Sequence, residues 1–437
     1  MSEKFVIYGG KPLKGKIEIR GAKNVALPVI AATLLTNKPC IIDNIPLIED
    51  VFKMLKIMEA LGAEISWIDK RKIKIRCLNI DPLKLPYEIV GYFRGSILIV
   101  GALLTRFKNI KMPPSGGCLI GARPLDTHFD AFEQFNIKIF SKGKFFYFQK
   151  PDNFLKNYSS PPFSFLKDKN IIEVVLREFS VTATANVLLF SSNLSKKVIL
   201  KIADEDYQIK ELSKVLKKMG ARINYKGSHT IEIIGNKNLK GFYHKIISDP
   251  IETGTFIVAT LATKGDVLIE NAELSFLSLF LKRLYDFGAN FKIVKSNSIK
   301  ILPSKQLKMD KIQSLPYPGI HTDLQPELGV LATQSKGPTL IHDPLYEGRL
   351  KYLEELNKMG ADIVFCDPHR AIINGPTQLY GIEIPSLDLR AGAALIIAGL
   401  VAKGKTIINN IYQIDRGYEK IEERLQQLGV DIERIKI

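Results

Sequence analysis

The stretch "PPSGGCLIGARPLD" (113–126) places one cysteine, Cys118, after a glycine pair and five residues before Arg123. Free cysteines usually sit in cores as small hydrophobes. Here Gly116 and Gly117 let the backbone bend and approach a ligand, and loops carry function more often than their share. A thiol near cations loses its proton more readily and so gains nucleophilic and acid–base power. A chance loop cysteine is the plainer alternative. In "IRGAKNVALP" (19–28), Gly21 ends a strand, and Lys23 and Asn24 open a helix whose N-terminus suits a phosphate or carboxylate. The plainer reading is a solvated lysine beside an Asn cap. Pro28 is compatible with that helix if it falls in the first turn.

Arginines recur at helix starts: Arg94, Arg349, Arg390 and Arg416. Arginine is always charged and grips carboxylate or phosphate bidentately. With Lys23 and Arg123 these four could line one cleft for an anionic substrate. The alternative is ordinary surface ion pairing, for example Arg349 with Glu347. Asp323, in "GIHTDLQPEL" (319–328), precedes an apolar helix. It reads either as a helix cap or as a general base facing those cations.

The elements that would carry these residues repeat. "MEALGAEI" (58–65), "LKKMGARI" (216–223), "LYDFGANF" (284–291), "LNKMGADI" (356–363) and "LQQLGVDI" (426–433) each read as an amphipathic helix, a cap and a strand start. Gly62, Gly220, Gly288, Gly360 and Gly429 stand where a left-handed cap residue belongs, with Asn136 in a worn copy, "FEQFNIKI" (132–139). Before each copy lies a helix rich in Ala, Gly and Ser, such as "GTFIVATLATKGDVLIENA", which reads as buried on most sides. The spacing of about 73 residues exceeds that of solenoid repeats. Six such units predict three per domain, with a seam near Asp249-Pro250.

Bulk composition narrows the class. A chain of 437 residues predicts two domains rather than one core. Its apolar runs fall short of a membrane span. The opening residues lack an apolar leader region, and four scattered cysteines without a CxxC pair argue against a zinc site or disulfide scaffold and fit a reducing cytosol. The net charge of +17 could signal nucleic acid, but the lysines are dispersed without a basic run, so solvated faces or an anionic small substrate are the better readings.

"GAKN", "RGSIL", "PSGGCLIGARPLD.H", "D.IETGTF", "HTDLQPE", "DLRAGAALIIAGL" and "IDRGYE" occur in this order along nearly the whole chain. Together they resemble the enolpyruvyl transferases, in particular those acting on UDP-N-acetylglucosamine at the start of peptidoglycan synthesis. The resemblance implies an α/β fold: a two-domain inside-out α/β barrel of six βαβαββ-type repeats, three per domain. Residues 22–247 would form one domain and 1–21 with 248–437 the other, with the active site in the cleft. It implies transfer of the enolpyruvyl group of phosphoenolpyruvate to a 3′-hydroxyl through a tetrahedral ketal, in the cytoplasm, with no cofactor, metal, nucleic acid or membrane partner.

Residue by residue, the resemblance makes Cys118 the general acid and Asp323 the acceptor of the hydroxyl proton. Lys23, Arg123 and Arg416 surround the phosphate, and Arg349 and Arg390 hold the carboxylate or the nearby charge. Asn24, Arg94, Arg123, Pro124, Leu125, Asp126, Thr127 and Leu345 touch the nucleotide sugar. "REFSVTATAN" (177–186) departs from the family's Lys-Val-Ser-Val-Gly-Ala-Thr: Ser180 and Val181 survive, while Glu178 replaces the lysine and Thr182 the glycine. The sister enzyme acting on shikimate 3-phosphate lacks the loop cysteine, so Cys118 speaks against that assignment. A non-catalytic, nucleic-acid-binding relative would have no reason to keep Lys23, Cys118, Asp323 and Arg390 together.

Overall fold

The computed structural model describes residues 3–116, 121, 124–152, 154–155, 168 and 170–436. Cys118 and Arg123 lie outside the described residues. The chain divides into two compact units, one built from residues 3–22, 121 and 247–436, the other from residues 23–116 and 124–246.

Each unit has three buried helices. Lys23–Ala32, Leu98–Arg106 and Val181–Ser191 serve the second unit, and Pro250–Ala262, Gln325–Thr333 and Leu389–Val401 the first. Pro250–Ala262 and Gln325–Thr333 are buried at every residue, and Leu389–Val401 at all but the last. Their small side chains allow close backbone approach. A Cβ on Gly101, for instance, would stand 2.4 Å from the Asn186 carbonyl oxygen. Pro28 differs from expectation: it is the sixth residue of Lys23–Ala32, in the second turn. Having no N–H, it leaves the Asn24 carbonyl without its in-helix donor.

The outer helices are amphipathic. Tyr207–Met219 buries Ile209, Leu212, Val215, Leu216 and Met219, is capped at its start by the Asp206 carboxylate, and ends on Gly220 at φ 112°. Gly62, Gly288, Gly360 and Gly429 also have positive φ, and Asn136 of the worn copy reaches 61°. The shared phrase therefore marks one recurring cap.

Among the described residues each unit carries three sheets, and five of the six are four-stranded. A representative one orders Lys14–Glu18, Asp266–Glu270, Ser298–Ile301 and Phe291–Lys295, the first pair parallel and the rest antiparallel. The same pattern recurs in Tyr243–Lys245, Cys40–Asp43, Lys72–Arg76 and Glu64–Asp69. In the last sheet the N-terminal strand Glu3–Tyr8 sits between Lys405–Asn409 and Asp431–Lys436, antiparallel to both. The first residues of the chain thus complete a repeat formed by the last. Among the described residues the sheet of Asn109–Met112, Phe145–Gln149 and Lys138–Lys142 has three strands. Also among them, no helix is long and apolar enough to cross a membrane.

Candidate active site

Asp323 lies in a 3-10 turn, Thr322–Leu324, that leads into the Gln325–Thr333 helix. The cap of that turn is His321, whose Nδ1 accepts from the Asp323 backbone N–H at 3.0 Å. The Asp323 carboxylate is thereby left to other partners. Its Oδ1 accepts from Arg349 Nη2 at 3.0 Å and its Oδ2 from Arg390 Nε at 3.0 Å. Both arginine side chains are almost fully buried, at 3% and 4% exposure, whereas the Asp323 side chain keeps 20%. Burial works against the charge of Arg390, but Asp323, Tyr418, Asp249 and Glu327 together more than offset it and hold the guanidinium firmly protonated. Two guanidiniums thus share one carboxylate, and Asp323 is the most exposed of the three side chains.

Each guanidinium is fixed from behind. Arg349 Nε donates to Thr322 Oγ1 at 3.2 Å, and that hydroxyl donates to the buried Asp343 Oδ2 at 2.5 Å. Asp343 Oδ1 also accepts from the Leu345 and Tyr346 N–H groups, so the loop carrying Leu345 is tied to the same carboxylate. Arg390 is the second residue of the Leu389–Val401 helix, and Asp388 caps that helix through the Arg390 and Ala391 N–H groups. Arg390 Nη1 donates to the Tyr418 hydroxyl at 3.1 Å. Its Nη2 is buried and makes no hydrogen bond among the described residues. A buried, unmatched guanidinium donor is costly, and an incoming carboxylate or phosphate would satisfy it. Arg416, two residues before Tyr418, is buried and donates to Gln413 Oε1 at 3.0 Å.

In the other unit, Lys23 is the first residue of its helix and is not a solvated lysine. Its Nζ stands 3.2 Å from Asp50 Oδ2, with side-chain exposures of 12% and 3%. Asn24 lies inside the helix and donates to the Tyr207 hydroxyl at 3.3 Å. Arg94 Nη2 donates to the Pro124 carbonyl at 2.8 Å. Leu125 precedes the helix Asp126–Glu133, whose second residue, Thr127, donates to Glu178 Oε1 at 2.8 Å. Ser180 caps the Val181–Ser191 helix through the Ala183 N–H at 3.3 Å. Approaching the Cys118 loop, Gly116 packs so tightly that a Cβ would stand 2.1 Å from the Gly91 carbonyl oxygen.

His128 links these pieces, and its tautomer can be deduced. Asn186 Oδ1 accepts from the Gly101 N–H, so Nδ2 is the end that meets His128 Nδ1 at 3.1 Å. His128 Nδ1 therefore accepts, and Nε2 carries the proton donated to Thr182 Oγ1 at 3.0 Å. Full burial, with Arg94 nearby, pushes the imidazole down to about 3. The two departures seen in the sequence thus have defined partners here: Glu178 accepts from Thr127, and Thr182 accepts from neutral His128.

The geometry brings Asp323, Arg349 and Arg390 together in one unit, and Lys23 with Asn24 at one helix start in the other. Sequence reasoning passed over Thr255, Glu327, Asp343 and Tyr418. Three of them, Thr255, Glu327 and Tyr418, lie within quoted motifs ("D.IETGTF", "HTDLQPE" and "IDRGYE") but carried no charge pattern that spacing could reveal.

The sequence model of the EPSP synthase (3-phosphoshikimate 1-carboxyvinyltransferase) family matches residues 7–425. A protein of Finegoldia magna named UDP-N-acetylglucosamine 1-carboxyvinyltransferase is 37% identical over 427 residues, covering 97% of each chain. One of the same name from Treponema denticola is 38% identical over 440 residues, covering 98% of each. Among solved structures, the enolpyruvyl transferase NikO from Streptomyces tendae superposes with a TM-score of 0.86 at 21% identity over 99% of both chains. EPSP synthase from Acinetobacter baumannii gives 0.75 at 18% identity over the full length of both. At those identities the structures speak for the fold.

Proposed function

This chain belongs to the EPSP synthase family, and we propose that it is an enolpyruvyl transferase whose acceptor is UDP-N-acetylglucosamine. The observation that carries the reading is the Arg349–Asp323–Arg390 triplet, a buried cationic pair sharing one carboxylate. It supplies a seat for the carboxylate of phosphoenolpyruvate and, beside it, a group able to take a proton. The names of the full-length relatives supply the acceptor.

In this reading the Cys118 thiol delivers a proton to the methylene carbon of phosphoenolpyruvate while the sugar 3′-hydroxyl oxygen bonds to the adjacent carbon. Asp323 takes the hydroxyl proton, and a tetrahedral phospho-ketal forms. The Cys118 thiolate then takes a proton back from the new methyl group as the C–O bond to phosphate breaks, which restores the double bond and releases inorganic phosphate. Each Asp323 oxygen keeps a lone pair beyond its guanidinium bond, so the carboxylate can take the proton; its charge is then lost, and the substrate carboxylate is the natural countercharge for the two arginines. Lys23, Arg123 and Arg416 neutralise the leaving phosphate, and fixed donors of this kind stabilise charge that grows in the transition state. Asn24, Arg94, Pro124, Leu125, Asp126, Thr127, Ser180, Val181 and Leu345 seat the nucleotide sugar. The reaction takes place in the cytoplasm, where the nucleotide sugar is made available.

The test is product identification. Incubation with both substrates should give a nucleotide sugar heavier by one enolpyruvyl group, read by mass spectrometry, with equimolar phosphate. Product formed on shikimate 3-phosphate instead would move the assignment to the reaction for which the family model is named.

A further inference from the structure

Behind Arg390 lies a polar cluster that the reaction above does not use. Glu327, on the Gln325–Thr333 helix, is completely buried. Its Oε1 accepts from Thr255 Oγ1 at 3.0 Å and lies 3.3 Å from the Tyr418 hydroxyl. Thr255 Oγ1 and Tyr418 Oη are 2.7 Å apart, and Tyr418 Oη accepts from Arg390 Nη1. Glu327 Oε2 has no partner among the described residues. The groups facing Glu327 are Thr255 from Pro250–Ala262, Asp323 from the turn before its own helix, Arg390 from Leu389–Val401, Tyr352 from Tyr352–Lys358, and Tyr418.

The heavy atoms accommodate two proton arrangements. With Glu327 ionised, the Tyr418 and Thr255 hydroxyls both donate to Oε1. With Glu327 protonated, Oε1–H donates to Tyr418, Tyr418 donates to Thr255, and Thr255 donates to the Ile251 carbonyl at 3.1 Å. Arg390 keeps its bond to Tyr418 in both. What changes is charge. Asp323, Asp343 and Asp388 already offset the two arginines, so an ionised Glu327 would add a further buried negative charge behind Arg390. That added charge would weaken the attraction of Arg390 for an anion, so the protonated arrangement is the one that suits substrate.

We propose that Glu327 is a positioning residue for Arg390, acting through Tyr418, and that its carboxyl is protonated when the anionic substrate is bound. This rests on the assignment of Arg390 to the substrate carboxylate. Burial pushes the Glu327 carboxyl up to about 7, against the attraction of Arg390, so both proton arrangements are populated near neutrality. The sign follows: protonation favours anion binding, and affinity falls as pH rises through that value. The anchor through Tyr418 also keeps Arg390 in place when Asp323 takes up a proton and loses its charge.

Infrared difference spectroscopy tests the proton directly. A protonated-carboxyl stretch should fade as the pH is raised through neutrality and be missing from Glu327→Gln. Asp206 and Asp249 are also buried with raised values, and their bands should persist in the variant. No difference between the two proteins would overturn the proposal whether or not either turns over substrate. Kinetics then test its consequence. The KM for phosphoenolpyruvate should rise about tenfold more in the wild type than in Glu327→Gln between about pH 6 and about pH 8.5, the effect of about one unit of coupling. Taking the ratio cancels the substrate's own phosphate titration. Glu327→Ala should raise KM at every pH, with Gln retaining binding. Identical KM profiles in wild type and Glu327→Gln would refute the coupling, while phosphate release by the wild type separately reports on the assigned reaction.

Discussion

Asp323 commits one carboxylate oxygen to Arg349 and the other to Arg390. Asp323→Asn would turn an amide NH2 toward one guanidinium and remove the countercharge of two buried cations. Turnover should fall by about a hundredfold or more, the usual scale for a lost acid–base group. Losing a buried partner also costs about 3–5 kcal/mol of stability, so both quantities should be measured on the same preparation; wild-type turnover in Asp323→Asn would remove it from the chemistry. For the thiols, a phosphonate epoxide of the size of phosphoenolpyruvate should alkylate Cys118. Burial pushes Cys40 up to about 12 and Cys77 up to about 11, so both stay protonated and shielded. Peptide mass mapping that found the label on Cys40, Cys77 or the exposed Cys366 instead would count against the assigned role. His128 makes a pH prediction. Its folded value of about 3 lies below the unfolded value of about 6.5, so the unfolded chain takes up the proton first. Its contribution is present above about pH 6.5 and is lost as pH falls, by up to about 1.4 kcal/mol per unit. The stability difference between wild type and His128→Gln should shrink along that range in urea titrations; a constant difference would contradict the neutral, buried assignment.

At the level of elements, much was legible before any coordinates. The recurring helix–glycine–strand phrase located every outer helix end, because a left-handed cap demands Gly or Asn at one fixed place. The Ala- and Gly-rich stretches marked the six buried helices because only small side chains permit such close approach. The Asp323 partners were only half legible. Its position before a helix read as a cap, yet His321 caps the turn and frees the carboxylate. The Glu327 cluster was not legible: Thr255 is 72 residues from Glu327 and 163 from Tyr418, so only the packing of separate repeats joins them. A further buried pair shows the same dependence on packing. Arg424 Nη2 bonds Glu252 Oε1 at 2.7 Å and the Glu18 carbonyl at 2.8 Å, and Glu252 Oε1 also accepts from the Arg20 N–H at 3.0 Å. Side-chain exposures are 5% and 4%. Arg424→Met should therefore cost about 3–5 kcal/mol by stranding Glu252, and adding Glu252→Gln should recover part of it. Equal stability of wild type and Arg424→Met in denaturant titrations would show the pair to be dispensable.

For the whole molecule, the N-terminal strand decides how one unit closes. Glu3–Tyr8 is an interior strand, with Phe5 and Ile7 fully buried, and Arg434 reaches Glu3, Asp415 and Glu422 across it. Removing residues 1–8 should abolish cooperative folding of that unit rather than trim a tail, seen as early proteolysis of the fragment after residue 247. A truncated protein with the wild-type melting curve would contradict this. The same six-repeat frame serves more than one acceptor among its relatives, so fold alone does not choose the substrate. The most direct test is phosphate release from phosphoenolpyruvate, measured side by side with UDP-N-acetylglucosamine and with shikimate 3-phosphate, in wild type and Cys118→Ala. The account predicts stoichiometric release with the nucleotide sugar alone, lost in Cys118→Ala. Release only with shikimate 3-phosphate, or with neither acceptor, would contradict it.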